Sequence, residues 1–321
     1  MDKKGVFIVS IDLELAWGFN YELLKNSRIA LKYVSIIKER SRRNVRTLLG
    51  YSERFNIPFT WGIVGHLFLP SCSRVSDSLS HPDMPRPELD AGKDWYANDP
   101  CSDLNASPSW YGSDLIEQIL KSETKHEIAS HSFSHVDFSR CSREVALSEI
   151  RKCKEIMKEY NVEPKTFIFP EDKVGHLDIL REEGFKLFRF KPEYPWHNVS
   201  LGRAPARFLT LLDLVQETVS PKVSEPIEAS GLIGLPWSLL FQSSHQRARA
   251  IDVVRLITAA RRGVDKAVSE NRIFHLTMHD YLEDDRLIYA LSSVLSYVSK
   301  LRDRDRLHAE TMYSGLSANG K

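Results

Sequence analysis

Two periodicities divide this chain. Short apolar runs rich in Val, Ile and Phe predict strands over residues 6–13, 57–64, 127–131, 166–170, 185–190, 231–236 and 272–278. Stretches between or after them repeat apolar residues every three or four positions and predict helices over 44–55, 113–122, 143–160, 176–183, 245–269 and 284–301. Strands alternating with helices argue for right-handed βα units and a parallel sheet. An incomplete barrel and an open sheet both accommodate that order.

Two segments break the alternation. Residues 71–110 are rich in Ser, Pro and Asp, with Trp95, Tyr96, Trp110 and the adjoining Tyr111 interspersed. So long a loop inside a compact domain is usually functional or disordered, and its aromatics favour a lid or substrate-binding excursion. Residues 309–321 read as a frayed, flexible tail. Neither an internal repeat nor a composition break marks a second domain, so residues 1–308 are expected to form one.

Composition narrows the class. At 321 residues, with 42% hydrophobic and 10% aromatic positions, the chain can fill one α/β barrel with a large core. Its 44 basic and 43 acidic residues leave a net charge of +1, which offers no basic surplus for nucleic acid. No apolar run reaches the ~20 residues needed to cross a bilayer, so stable membrane insertion is not expected. The apolar stretch 6–11 runs straight into Asp12 and Glu14, as a strand does and a signal peptide does not. With no leader and four cysteines that form no CxxC pair, the expectation is a cytoplasmic protein with reduced thiols.

The candidate chemistry sits at predicted strand ends. Along the first strand Val6, Ile8, Ser10, Asp12 and Glu14 share one face, so two carboxylates point together at the carboxyl end. In parallel α/β folds that end binds ligands. His131 closes the third strand and His135 follows four residues later, so a helix beginning there would stack both imidazoles on one face. His126-Glu127 does not open an HExxH motif, because the next histidine comes five residues later. Ser130, Ser132 and Ser134 are candidates for hydrogen bonds that fix the imidazole tautomers. Two imidazoles and two carboxylates make a metal site with a spare carboxylate beside it, the equipment for hydrolysing an unreactive amide.

In the last strand His275, Thr277 and His279 share a face. His279, at the strand end, suits a general acid towards a leaving amine, and Asp280 beside it would raise its pKa. His275, one pleat deeper, suits a structural role. Trp17, Trp61, Trp95, Trp110 and Trp196 are candidates for stacking on a flat ligand face.

These residues resemble the polysaccharide deacetylases, also called the NodB-homology or carbohydrate esterase 4 family, and most closely the branch found with sugar and surface-polysaccharide biosynthesis. The resemblance runs from Ser10-Ile-Asp-Leu-Glu-Leu-Ala-Trp-Gly18 through Thr60-Trp-Gly-Ile-Val-Gly-His-Leu-Phe68 and His126-Glu-Ile-Ala-Ser-His-Ser-Phe-Ser-His135. It continues through Phe167-Ile-Phe-Pro170 and Gly175-His-Leu-Asp178 to Phe274-His-Leu-Thr-Met-His279. It implies a distorted (β/α)7 barrel and metal-dependent removal of N- or O-acetyl groups from a sugar or glycoconjugate. Carried over, Asp12 matches the catalytic base, Glu14 the carboxylate ligand, His131 and His135 the histidine ligands, and His279 the general acid. The cofactor implied is a divalent ion, Zn²⁺ first, with Co²⁺, Ni²⁺ or Mn²⁺ also compatible with an N/O donor set.

Two positions depart from the family pattern. Leu13 separates Asp12 from Glu14, where typical members have adjacent carboxylates. Glu171 follows Pro170, where members usually carry an arginine near the base. Either another cation such as Arg189 substitutes, or the base is tuned differently, or activity is reduced. The rival readings are a formamide or ureide C–N hydrolase on the same scaffold, a non-catalytic carbohydrate-binding relic, and a protein-interaction scaffold.

Overall fold

Burial of every residue in strand β1 (Gly5–Leu13) marks it as the centre of the molecule. The computed structural model describes residues 4–75, 78–79, 84–88, 93–192, 219, 221–242, 250–282 and 284–317. Seven further strands follow: β2 (Thr60–Ile63), β3 (Glu127–Ser130), β4 (Thr166–Ile168), β5 (Leu187–Phe190), β6 (Leu232–Pro236), β7 (Leu239–Leu240) and β8 (Ile273–His279). They pair in parallel in the order β7-β8-β1-β2-β3-β4-β5-β6.

The two ends of that series are one stretch of chain. β6 pairs with β5, and β7, only two residues on, pairs with β8. Between them the Trp237 N–H donates to the Phe190 carbonyl and the Ser238 N–H to the His275 carbonyl. The sheet therefore curls round as a seven-stranded distorted barrel, with β6 and β7 acting as one kinked strand.

Period-two alternation sorts β1 as expected. Phe7, Val9, Ile11 and Leu13 face outward into the larger apolar cluster. Val6 and Ile8 point inward and meet Ala129, Ile168, Leu187, Leu235 and Ile273 in a second cluster. The helices over the outside are α1 (Arg28–Phe55), α2 (Ser113–Lys121), α3 (Arg143–Glu159), α4 (Leu177–Glu182), α5 (Ala250–Glu270) and α6 (Asp285–Asp303). Among the described residues no helix is long and apolar enough to cross a membrane.

Helix α1 begins sixteen residues before the expected start at 44. Ala30, Tyr33, Val34 and Ile37 carry the helical spacing there, which the sequence reading passed over because basic and polar residues fill 38–43. A cap starts the helix: the Ser27 side chain accepts the Ala30 N–H at 3.3 Å. Asn56, at φ 49°, stops it in the left-handed conformation. Part of the helix expected over 245–269 lies outside the described residues, as does Trp196.

The excursion at 71–110 carries a two-stranded ribbon, Arg74–Val75 against Ser78–Leu79. Its aromatics Trp95, Tyr96 and Trp110, with Tyr111 beside them, are buried against the barrel.

The expected tail is largely folded, which corrects the sequence reading. Strand β9 (Leu307–Glu310) pairs in parallel with the lower half of β1, where β2 is too short to reach. A following turn of helix, Met312–Ser317, drives Met312 and Leu316 into the inner cluster and closes the barrel floor. Glu127 ties this floor together by accepting from Thr60, Thr166 and the Tyr313 N–H. The signal was missed because two apolar residues in a short polar segment have no readable period. Met312→Ala should cost about 2–5 kcal/mol of stability, as for other large-to-small core changes. Chemical denaturation checks this, and an unchanged midpoint would mean that the segment is frayed after all.

Candidate functional site

The carboxyl ends of β1, β3, β4 and β8 converge on one point. Glu14 follows β1, and its Oε1 lies 3.1 Å from His131 Nε2 and 3.2 Å from His135 Nε2. The Glu14 N–H donates to Asp280 Oδ1 at 3.2 Å, and Gly18 leaves room for Oε2, which a Cβ there would overlap. Burial alone would raise the Glu14 pKa, yet the facing His135 and His279, with hydrogen bonds from His131 and His135, hold it well below the carboxylate range. His135 moves the other way: burial opposes its charge, but Glu14 raises its pKa above the ordinary value.

His131 is anchored through its other ring nitrogen: Nδ1 donates to the Ile168 carbonyl at 2.8 Å, which can only accept, and this turns Nε2 towards Glu14. The three serines expected to set tautomers do other work. Ser132 Oγ accepts the His135 N–H at 2.9 Å, Ser134 bonds Glu149, and Ser130 donates to Cys153 Sγ.

The expected helix through His131 and His135 is absent. Ser132 and His135 take left-handed backbone angles, φ 58° and 64°, and this tight loop brings the two rings to 5.0 Å between centroids. Glu149 on α3 holds it in place. Its Oε2 accepts the Phe133 and Ser134 N–H groups at 2.9 and 2.7 Å, and its Oε1 accepts the Ser134 hydroxyl at 2.6 Å. Sequence reasoning missed Glu149, for which the only signal is an acidic residue on the buried face of α3.

Asp12 is 3% exposed and grips Arg189 of β5 in a bidentate pair, both N–O distances 2.6 Å. Burial would raise its pKa, but the guanidinium prevails and the carboxyl stays below its ordinary value. Arg189 also donates to Thr277 at 2.8 Å, Ser10 at 3.2 Å and Asp172 at 3.4 Å. Of the alternatives open for the residue after Pro170, the geometry is thus that of a substitute cation reached from β5. Glu171 itself turns to Lys173 at 2.6 Å. His275 holds Ser10 at 2.8 Å, and burial brings its pKa down to about 3, so it stays neutral beside Arg189.

His279 places Nε2 3.9 Å from Asp12 Oδ2 and 3.8 Å from Glu14 Oε1, and its ring stacks on Tyr281. Asp280 supports the Glu14 backbone: its buried carboxyl, pushed up to about 7 chiefly by burial, accepts the Glu14 N–H.

A cleft of about 360 Å³ opens from His135, with Trp95, Arg140, Glu171 and Lys173 in its walls. Among the described candidate tryptophans Trp95 alone borders it, its Nε1 donating to Ser134 Oγ at 2.9 Å. Trp17, Trp61 and Trp110 are core residues.

The described geometry has relatives. Residues 42–177, which include His131 and His135, match the family model for polysaccharide deacetylase. No curated protein sequence matches the chain. A Mycobacterium smegmatis structure described as a polysaccharide deacetylase is similar with TM-score 0.60 and 15% identity, over 98% of this chain and 89% of its own. A second, from Pseudomonas aeruginosa PAO1 and described likewise, gives 0.55 and 13% over 97% and 89%. The structure of Puue allantoinase gives 0.55 and 13% over 98% and 90%. At such identities these likenesses concern the fold, and the three agree on the barrel. Residues 42–177, the segment that carries both loop histidines, are similar to the polysaccharide deacetylase family.

Proposed function

We propose that the protein is a metal-dependent hydrolase that removes an acetyl group from an N-acetylated or O-acetylated sugar. Glu14, His131 and His135 hold the cation, Asp12 is the general base and His279 the general acid. The convergence of both imidazole Nε2 atoms on Glu14 Oε1, at 3.1 and 3.2 Å, carries this reading. Metal–ligand bonds of about 2.0–2.1 Å set neighbouring N and O donors about 3.3 Å apart in a tetrahedral site, and both imidazole–carboxylate edges stand close to that spacing. Nitrogen and oxygen donors without thiolate suit Zn²⁺ first, with Co²⁺, Ni²⁺ and Mn²⁺ also compatible. A bound cation of this class supplies an acidified water and a polarised acyl carbonyl.

The chain's own residues supply the rest. Asp12 is buried and ionised against Arg189, so it can accept a water proton without first shedding its own. That guanidinium already neutralises Asp12, which argues for Glu14 rather than Asp12 as the ligand. His279 stands across from both carboxylates at the solvent edge, within reach to protonate the departing sugar nitrogen. Acetate and a free amino sugar result. Trp95 lines the cleft beside His135, where the sugar would lie.

Elemental analysis and acetate release test the assignments together. His131→Ala should lose one equivalent of divalent metal; content equal to the native chain would sink the ligand set. Asp12→Asn and His279→Ala should keep that metal and lose on the order of 10²–10⁴ in kcat/KM on an N-acetyl sugar, the usual contribution of a positioned acid or base. Formate or ammonia in place of acetate would point to the formamide or ureide reaction instead.

Arg189→Leu strands a buried carboxylate and should cost about 3–5 kcal/mol. In the native chain the folded Asp12 pKa lies below its ordinary 3.8. The pair's stabilisation is therefore present above that value and lost as pH falls through the folded pKa. Denaturation midpoints across acid pH should show this loss in the native chain and not in the variant.

A further inference from the structure

A second group of metal-type donors lies outside the barrel-mouth site. His66 sits in the turn Gly65–Phe68 after β2, and Cys72 and Asp99 belong to the 71–110 excursion. Each offers one donor atom, and the three atoms lie within 4.8 Å of one another. His66 Nε2 is 3.2 Å from Asp99 Oδ2, and Cys72 Sγ is 3.4 Å from the same oxygen. With zinc bonds of about 2.0 Å to nitrogen and oxygen and about 2.3 Å to sulfur, tetrahedral N–O and O–S edges are about 3.3 and 3.5 Å. The donors stand at that spacing.

The surroundings aim them. Asp99 Oδ1 accepts the Cys101 N–H at 3.0 Å and the Tyr111 hydroxyl at 3.3 Å, which leaves Oδ2 directed at the imidazole and the thiol. The Ser102 N–H donates to the Tyr111 oxygen at 2.9 Å and fixes that hydroxyl in turn. Rings of Trp17, Tyr111 and Phe133 enclose His66 at centroid distances of 4.5, 5.3 and 5.6 Å. Neither the His66 nor the Asp99 side chain reaches solvent. A divalent cation there would use all three donors at once.

We propose that His66, Cys72 and Asp99 bind a structural divalent cation of the zinc class, with a water as fourth ligand. The site clasps the excursion to the barrel. Trp95, four residues before Asp99, stands in the wall of the cleft beside His135, so the clasp also fixes that wall. Nothing here depends on the catalytic assignments, because the two donor sets share no residue.

Cobalt substitution separates the two sites. The barrel-mouth donors are nitrogen and oxygen only, so a near-ultraviolet thiolate-to-cobalt charge-transfer band reports a cysteine-bound ion alone. Metal-stripped protein reloaded with Co²⁺ should show the band in the native chain, in His131→Ala and in Cys141→Ser, and lose it in Cys72→Ser. Absence of the band from the native chain at saturating Co²⁺, or its survival in Cys72→Ser, overturns the proposal. Should Cys72→Ser fail to fold, thiol alkylation of the native chain decides. Zinc should slow modification of Cys72, mapped by peptide mass, on the order of tenfold relative to chelator-treated protein, because a metal-bound thiolate is withdrawn from attack. Equal rates with and without zinc would count against the site.

Discussion

The buried pair between Asp12 and Arg189 is the constraint on which the barrel mouth depends. Two opposite charges withdrawn from water are tolerated only when geometry and added hydrogen bonds offset their desolvation. Here the guanidinium meets both carboxylate oxygens and spends its remaining donors on Ser10, Thr277 and Asp172. Because the partners stand on β1 and β5, the pair spans the barrel interior and links strands that share no ladder. It divides the interior into layers. Below lies an apolar floor of Val6, Ile8, Ile168 and Ile273 sealed by Met312, and above it the polar groups that face the cleft.

The histidine loop is held by a different means. Left-handed backbone at Ser132 and His135 costs on the order of 1–3 kcal/mol each and persists only where the surroundings over-determine it. Glu149 provides that restraint from α3 by accepting two successive N–H groups, and the Ile168 carbonyl fixes the His131 ring from β4. The imidazoles thus rest on rigid elements although they stand on a loop, which gives a metal-type donor set its fixed spacing. The likeness of the fold to deacetylases and to an allantoinase leaves the chemistry to these side chains, since one scaffold serves several reactions.

Much of this was legible along the chain. Period-two alternation in β1 sent Asp12 and Glu14 to the inner face, and alternation in β8 did the same for His275 and His279, because side-chain direction in a strand depends only on parity. The strand positions, the βα order and the meeting of Glu14 with His131 and His135 followed from such local rules and from the motif resemblance. Other features left no local trace. The docking of residues 307–317 rests on a gap beside β1 that exists only because β2 is short. The roles of Ser130, Ser132, Ser134 and Asp280 went to partners distant in sequence.

By itself, then, the sequence determined which residues are strands, which faces turn inward and which side chains crowd the barrel mouth, since propensity and periodicity act between near neighbours. Tertiary structure alone decided that Arg189 would serve Asp12, that Glu149 would hold the histidine loop, and that one kinked strand would join both edges of the sheet. Those outcomes depend on which groups share a buried volume once the barrel has closed. Desolvation imposes that requirement on charges and backbone amides only when they are packed together, and it has no counterpart in the order of residues.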